Sequence, residues 1–332
     1  ATGHGTVDRF AVYHSTDDAP TQSQSDVGLS DLPFTEQGIT KCLKVTNGNQ
    51  SGAGNAEYVE INYKCEAQDI RNSGWNYQSS SSFITLSYYV RSSVAQTFTA
   101  WITNRDGTRK NFVWSYALSA NTWTKITKVI PGDSGLTINN DNGAAIELWF
   151  QMFYGTNYSQ ASPPGNNTGG WVNHDNQTVE TNDTSWYLTN DATFEITGVQ
   201  LEVGNHATLF EHRSYADELR RCQRYYIQFG NGYNTGARGG SGGSLALYNY
   251  HLPVPLRAAP SFSTNPGSLT GFSVRAYKYN GFTDSTNAPT LATNGYTLNS
   301  SFVYVQQSGH SIDDDRVSAI QQSGTIALIA EL

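Results

Sequence analysis

The chain is poor in charged side chains, and acidic residues outnumber basic ones by 28 to 20. Only 14% of its 332 residues are charged, and the formal net charge is -8. A surface that follows nucleic-acid phosphates needs clustered Lys and Arg, so nucleic acid is excluded as a partner. The sequence also lacks an apolar run long enough to span a bilayer, which excludes membrane insertion. Ala1 to Gly5 show no signal-peptide pattern.

Cysteine is scarce, with three residues at Cys42, Cys65 and Cys222. Their spacing matches no metal-binding pattern, and an odd number at wide intervals excludes a disulfide scaffold. Cys42 and Cys65 lie at roughly symmetric positions in a predicted hairpin, so a bridge between them is left open. We therefore expect stability to come from core burial and from oligomerisation.

Motifs of the common enzyme classes are missing. No zinc-protease, phosphate-loop or dinucleotide-binding pattern occurs. A Gly-x-Ser-x-Gly string, at 239–243, lies in a glycine-rich stretch that leads into a strand, whereas a nucleophile elbow needs a strand before it and a helix after it. We predict that the protein is not an enzyme. The densest acidic cluster is Asp313-Asp314-Asp315, interpreted as a solvated turn, with calcium as the alternative.

Aromatic side chains are abundant, with 20 Tyr, 14 Phe and 7 Trp. Apolar residues alternate along Phe83 to Arg91, and again along Ile146, Leu148, Phe150, Met152 and Tyr154, which are backed by Trp149 and Phe153. This period of two is typical of strands with one buried face. Apolar positions slip by one residue around Gly198, which predicts a β-bulge. The pattern predicts an all-β jelly-roll β-sandwich over residues 1–213.

One helix follows the predicted sandwich. Ser214 is a suitable N-cap with Asp217 three residues later, and Tyr215, Leu219, Cys222 and Tyr226 form an apolar stripe. The sequence thus predicts a connector helix over 214–227 and a smaller C-terminal β-sandwich over 228–332. Glu211, Arg213, Ser214 and Asp217 are predicted to fix this junction, with Arg213 paired to Glu211.

Two loops combine aromatic rings with amides and carboxylates, the groups that recognise sugars. Trp75 and Tyr77 lie in one loop, and Trp171, Asn173 and Asp175 lie in a long polar insertion from Tyr158 to Thr184. These five residues are the candidate glycan site. The alternative is that the aromatic rings pin the loops to the sandwich or contact another subunit. The strand residues Trp101, Trp114, Trp123 and Trp149 are predicted to be packing residues.

A long central segment resembles a signature of bacteriophage virion structural and tail-fibre-type proteins. The segment comprises Phe194–Gly204, Ala207–Tyr215 and Glu218–Tyr226, and further similarity is found at 6–10, 42–45, 83–93, 120–125 and 254–260. In that family the segment closes a jelly roll like that of carbohydrate-binding modules. It then turns through a short helix into a C-terminal β domain.

The resemblance implies a non-enzymatic component of a virion, either a tail fibre or appendage or a capsid-decorating protein. Such a protein is assembled in the host cytoplasm, is exposed on the particle exterior and contacts other virion proteins and host-surface glycans. No cofactor is required, and the resemblance allows a structural calcium ion without assigning its ligands. Two alternatives stay open: a soluble carbohydrate-binding protein, and a capsule-degrading tailspike-type hydrolase.

Overall fold

The computed structural model describes residues 3–5, 7, 9–163, 165, 167–177, 179–181, 183–230, 234–239, 245–264, 273–278, 281–285, 290–291, 302–309, 317–323 and 326–330. The chain divides into two compact units, Ala1–His212 and Arg213–Glu331. The boundary between these units lies one residue before the predicted end of the first domain.

The first unit is a β-sandwich with three short helices among its described residues. Its strands are β1 (Gly3–His4), β2 (Phe10–Ser15), β3 (Thr21–Asp26), β4 (Lys41–Thr46), β5 (Tyr58–Glu66), β6 (Phe83–Ser92), β7 (Gln96–Asn104), β8 (Lys110–Leu118), β9 (Thr124–Pro131), β10 (Ala144–Tyr154), β11 (Ser159–Gln160), β12 (Val172–Asn173), β13 (Val179–Glu180) and β14 (Thr193–Val203). The helices are α1 (Leu32–Gln37), α2 (Ala67–Arg71) and α3 (Ser185–Leu188).

Two antiparallel sheets of the first unit enclose one apolar core. The seven-stranded sheet has the order β1-β2-β5-β10-β7-β8-β12, and the five-stranded sheet has the order β3-β4-β14-β6-β9. Side chains from both sheets meet in the core, among them Leu86, Tyr88, Phe98, Phe150 and Phe194, each fully buried. Alternating apolar residues drive this arrangement because a strand places every second side chain on the same face. The predicted all-β sandwich is confirmed.

Strand β10 follows the predicted alternation over most of its length and then departs from it. Ile146, Leu148, Phe150 and Met152 point into the core as predicted. The pairing of β10 with β5 is irregular between Gln151 and Phe153. Because one extra residue reverses the alternation, Phe153 joins the core and Tyr154 turns to the opposite face. The prediction that Tyr154 shares the core face is therefore wrong.

The predicted bulge in β14 is present. The pairing of β14 with β6 shifts register between Thr197 and Gln200, and Gly198 has a φ of 59°. A Cβ atom at Gly198 would lie 2.6 Å from Ile39 Cδ1, so both the conformation and the space favour glycine. Val199 and Leu201 pack against the core beyond the bulge. Val203 is 46% exposed, so the core does not extend to the end of the strand as predicted.

The connector helix is shorter than predicted. Helix α4 spans Tyr215–Gln223, and Tyr226 begins the next strand. The predicted N-cap is confirmed, because the Asp217 backbone N–H donates to Ser214 Oγ at 3.2 Å. Arg213 pairs with Glu218 at 3.3 Å, whereas the sequence predicted Glu211 as its partner. The short helices α1 to α3 were not predicted, since four to six residues are too few to show a helical period.

The second unit also consists of antiparallel sheets. Its strands are β15 (Tyr226–Phe229), β16 (Asn234–Gly239), β17 (Leu245–His251), β18 (Ser261–Thr264), β19 (Ser273–Lys278), β20 (Gly281–Ser285), β21 (Thr290–Leu291), β22 (Phe302–Ser308), β23 (Val317–Ser323) and β24 (Ile326–Ile329). They form the orders β15-β24-β18 and β20-β19-β23-β16-β17-β22-β21. The Phe229 and Tyr250 rings lie 4.8 Å apart and connect the two sheets.

All three cysteines are free thiols. Cys42 lies on β4 of the five-stranded sheet and Cys65 on β5 of the seven-stranded sheet. The two residues therefore do not face each other across a hairpin, and the bridge considered from the sequence is absent. Burial raises the pKa of the Cys42 thiol to about 11 and that of Cys65 to about 12. Across the described residues, every helix is too short or too polar to cross a membrane.

Candidate functional site

The outer face of the seven-stranded sheet, turned away from the core, carries polar and aromatic side chains. Its central strands contribute them at every second position, in alternation with core residues. These residues are Glu60 and Asn62 on β5, Glu147, Trp149 and Gln151 on β10, Thr99, Trp101 and Thr103 on β7, and Asn111, Val113 and Ser115 on β8.

Two tryptophans form the centre of this face. Trp149 on β10 lies directly opposite Trp101 on β7, and their rings stack at 5.8 Å with an interplanar angle of 8°. Trp101 is 6% exposed, whereas Trp149 is half-buried. The Tyr154 ring meets the edge of Trp101 at 5.7 Å, and Tyr158 meets Tyr154 at 5.8 Å. The irregular pairing of β10 thus places Tyr154 beside Trp101 and Trp149, as the third strand residue of this aromatic cluster.

The long polar insertion folds over this face and is fastened to it at several points. Just before the insertion, Gly155 lies so close to the Gly54 and Asn55 carbonyls that a Cβ atom would clash with them. Within the insertion β11 pairs in parallel with β13, and β12 adds to the edge of β8. Val179 is 1% exposed and packs against Trp101 and Val113.

A groove of about 360 Å³ lies between the insertion and the sheet. This volume is within the usual range for small-molecule sites. The sheet, together with the turn before β8, supplies the floor, and the insertion supplies the opposite wall. The groove is lined by Trp101, Arg109, Asn111, Trp149, Tyr154, Asn157, Tyr158, His174, Asp175, Asn176 and Val179.

The polar wall of the groove is held by a short hydrogen-bond chain. Thr103 Oγ1 donates to Asn111 Oδ1 at 2.9 Å, and Asn111 Nδ2 lies 3.0 Å from His174 Nδ1. Burial lowers the pKa of His174, and the nearby Arg109 and Arg105 lower it further. His174 is therefore a neutral imidazole at neutral pH. One of its ring nitrogens accepts from Asn111, which fixes the orientation of the ring.

Two buried carboxyl groups lie on the same face. Glu147 is 3% exposed and forms an ion pair with Arg105 at 3.6 Å. Glu60 is 7% exposed, and its carboxylate accepts a hydrogen bond from the Tyr154 hydroxyl. Burial raises the pKa of Glu60 to about 7, and the charge of Glu147 acts in the same direction. The position of Tyr154 in the groove therefore depends on a carboxyl group that titrates near neutral pH.

Several buried polar atoms at this site have no hydrogen-bond partner in the described part of the protein. They are Trp149 Nε1, Arg109 Nε, Glu147 Oε2 and both amide atoms of Gln151. An unpartnered buried donor or acceptor costs about 1–3 kcal/mol. Folded proteins keep few such groups, and those they keep cluster where function needs them. Of these residues, Arg109 and Trp149 line the groove, and Glu147 and Gln151 lie on the same face of the sheet.

The first predicted glycan loop lies away from this groove and is closed. Trp75 is 4% exposed within the core cluster, and its indole N–H donates to the Ser82 carbonyl at 3.3 Å. Tyr77 is half-buried, with the Arg71 guanidinium 5.6 Å from its ring centre. The alternative interpretation fits these two residues, because both rings pin the loop to the sandwich and Trp75 has no open face for a sugar.

The second predicted loop is divided between core and groove. Trp171 is 9% exposed, contacts Phe112 at 5.8 Å and donates its indole N–H to the Pro131 carbonyl at 2.7 Å. It is a packing residue, contrary to the prediction. Asn173 and Asp175 are exposed, and of the predicted residues only Asp175 is among those that line the groove. The second loop therefore contributes Asp175 to the groove, whereas the Trp171 ring packs in the core.

Trp101 is buried and packs in a cluster with Val179, as predicted. Trp149, which was also predicted to be a packing residue, is half-buried and lines the groove. On β10 the residues between the core positions are Glu147, Trp149 and Gln151. A tryptophan between two polar residues indicates that its ring lies on the face opposite the core.

No cluster of three His, Cys, Asp or Glu side chains suited to a metal ion occurs among the described residues. Asp17 accepts a hydrogen bond from the Ser51 hydroxyl, and Asp18 accepts one from the Asn49 N–H at 2.8 Å. These two residues close a loop in this structure. Asp313-Asp314-Asp315 and the Gly-x-Ser-x-Gly serine lie outside the described residues. The calcium ion stays an untested expectation.

Comparison with known proteins gives matches only among solved structures. No protein-family model matches the chain, and no curated protein sequence matches it. The chain is similar to the family 11 carbohydrate-binding module of Clostridium thermocellum, solved with a β-1,3-1,4-mixed-linked tetrasaccharide. The identity is 12%, the TM-score is 0.30, and the match covers 62% of this chain and 92% of that one.

Two further structures show the same level of similarity. A putative sugar-binding protein from Bacteroides thetaiotaomicron is 8% identical with a TM-score of 0.30, and the match covers 61% of this chain and 95% of that one. A protein described as "CBM4 structure and function" is 14% identical with a TM-score of 0.27, over 49% of this chain and 84% of that one. Likeness at this level concerns the arrangement of strands and says nothing about a ligand.

Proposed function

We propose that the protein binds glycans, without catalysis, in the groove on the outer face of the seven-stranded sheet. The observation that carries this proposal is Trp149, a half-buried ring that lines the groove and is stacked on the buried Trp101. The apolar face of a pyranose ring packs on an indole, because both are flat and weakly hydrated. Stacking on Trp101 holds Trp149 in one orientation before a ligand arrives, which lowers the entropy lost on binding.

The polar wall supplies the second requirement of sugar recognition. Asn111 and His174 are fixed by their mutual hydrogen bond, and Asn157, Asp175 and Asn176 line the same groove. Amide, imidazole and carboxylate groups both donate to and accept from hydroxyls.

The experiment is a titration of the full chain with soluble β-glucans, xylans, galactans, dextran and acidic polysaccharides, followed by calorimetry and tryptophan fluorescence. We expect at least one glycan to bind and Trp149→Ala to weaken it by about a hundredfold, as for the loss of a central aromatic contact. The control is Tyr215→Ala, because Tyr215 is an 82% exposed aromatic residue outside the groove. Unchanged affinity in Trp149→Ala, or no binding by any glycan, would contradict the proposal.

We also propose that this binding protein is a structural component of a virion. This proposal is supported by the sequence resemblance of the segment from Phe194 to Tyr226 to phage virion proteins, and it is separate from the groove. It predicts a homotrimer of the 36.4 kDa chain, exposed on the particle exterior and attached to other virion proteins. Light scattering after size exclusion measures the mass in solution. A stable trimer supports the proposal, and a stable monomer contradicts the self-standing trimer.

A further inference from the structure

Arg109 is a cation in the floor of the groove, and it has no acidic partner among the described residues. It is half-buried, lines the groove, and forms none of the ion pairs found among the described residues. Its Nε atom is buried and has no hydrogen-bond partner there. Burial lowers the pKa of Arg109, and the neighbouring positive charge of Arg105 lowers it further. The guanidinium is thus held in an environment that disfavours its charge.

The nearby acids do not compensate this charge. The charge of Glu147 raises the pKa of Arg109, but Glu147 is already paired with Arg105 at 3.6 Å. Asp175 also lines the groove, but it forms no ion pair with Arg109 among the described residues. The groove therefore combines one carboxylate, Asp175, with one guanidinium, Arg109, and the two are not paired with each other.

A planar guanidinium binds carboxylate and sulfate groups through two parallel hydrogen bonds, and these bonds are stronger than those between neutral groups. Partial burial increases their strength because the local dielectric is lower than in water. The protein as a whole carries a net charge of -8, which repels polyanions in general. An anion that binds here must therefore be recognised by the groove and not by the overall surface.

We propose, on the basis of the glycan-binding function above, that the groove selects glycans with an anionic substituent and that Arg109 binds that substituent. The substituent is a uronate carboxylate or a sulfate ester, which present the same pair of oxygens to a guanidinium. Trp149 stacks on the sugar ring that carries it or on its neighbour. Arg109 thus determines specificity, and the aromatic residues supply the affinity shared by all ligands.

The experiment compares two matched pairs of oligosaccharides by calorimetry. One pair is an oligogalacturonide and its methyl ester, and the other is a sulfated galactan oligosaccharide and its desulfated form. We expect the charged member of one pair to bind at least about tenfold tighter, with a preference that falls between about 0.05 and 0.5 M salt. The pair that shows the preference identifies the substituent as a carboxylate or a sulfate.

Arg109→Gln should abolish this preference, so that the charged and the neutral member of the pair bind with equal affinity. The control is Lys41→Gln, which removes one charge from an exposed ion pair with Asp26 on the other sheet. Equal binding of both members, or a preference that survives Arg109→Gln, would overturn the inference. In that case the loss of neutral binding in Trp149→Ala would still support the glycan-binding function. Absence of binding by every oligosaccharide would overturn both.

Discussion

The two faces of the seven-stranded sheet are built by the same strands but are stabilised in different ways. On the inner face Phe98, Ile102 and Phe150 are fully buried among apolar neighbours and carry no polar atoms. On the outer face Gln151 and Glu147 are almost as deeply buried, yet their side chains keep unpartnered polar atoms. Burial alone therefore does not separate core from site. The outer face buries polar side chains with unpartnered atoms, such as Glu147 and Gln151, whereas most side chains of the inner face carry no polar atom.

The largest predicted loss of stability is at Phe150, on the inner face. Phe150→Ala should lower the free energy of unfolding of the first unit by about 3–5 kcal/mol, because it leaves a cavity next to Tyr88. Tryptophan fluorescence during denaturation measures this unit alone, since all 7 Trp lie in Ala1–His212. Trp149→Ala, at the neighbouring position on the outer face, should cost less stability and weaken glycan binding by about a hundredfold. Equal losses of stability in both variants would contradict this difference between the two faces.

A second prediction concerns pH. The pKa of Glu60 is raised from 4.5 to about 7 in the folded protein, so the folded state binds more protons than the unfolded state between these values. The stabilisation is complete below pH 4.5 and is lost as the pH rises through 7. The loss amounts to about 3 kcal/mol at most. Denaturation curves across this range should show the decline, and Glu60→Gln should flatten it. An unchanged slope in Glu60→Gln would assign the decline to another group.

The smallest predicted change in the free energy of unfolding concerns two buried glutamines. Gln151 has no partner for its amide, whereas Gln96 Oε1 accepts from the Trp186 N–H at 2.9 Å. Gln151→Met should raise the free energy of unfolding by about 1 kcal/mol, because it removes a desolvated polar group of similar volume. Gln96→Met should lower it, because it leaves the Trp186 N–H unpaired. A loss of stability in both variants would show that the Gln151 amide is satisfied in solution.

The features that depend on the alternation of apolar and polar residues along a strand could be predicted from the sequence. The core residues of β6 and β10 and the bulge at Gly198 follow from a period of two and its interruption. The reversal after Gln151 was missed, because Met152, Phe153 and Tyr154 are all apolar or aromatic and the pattern cannot show where the extra residue lies. Consequently Tyr154, a groove residue, was assigned to the core.

The candidate site was predicted only in part, because loop direction is set by distant contacts. Trp75 and Trp171 have the composition of sugar-binding loops, yet both rings enter the core beside residues far away in sequence. The groove is formed by strand residues and the insertion together, and their proximity depends on Val179 packing on Trp101. No pattern among neighbouring residues in the sequence predicts such a contact. The insertion itself was identifiable because of its length and polarity.

The way the insertion is fastened affects how the protein can evolve. Its anchors are largely backbone hydrogen bonds, such as the His174 N–H to the Arg109 carbonyl at 2.9 Å and the Gly155 N–H to the Glu57 carbonyl at 2.8 Å. Apart from the glycine that position 155 requires, such bonds do not depend on the side chains near them. Asn157, Asp175 and Asn176 are exposed and lie within two residues of these anchors. Mutation can therefore exchange them one at a time without loss of the fold, and descendants of this chain can change their ligand while keeping their architecture.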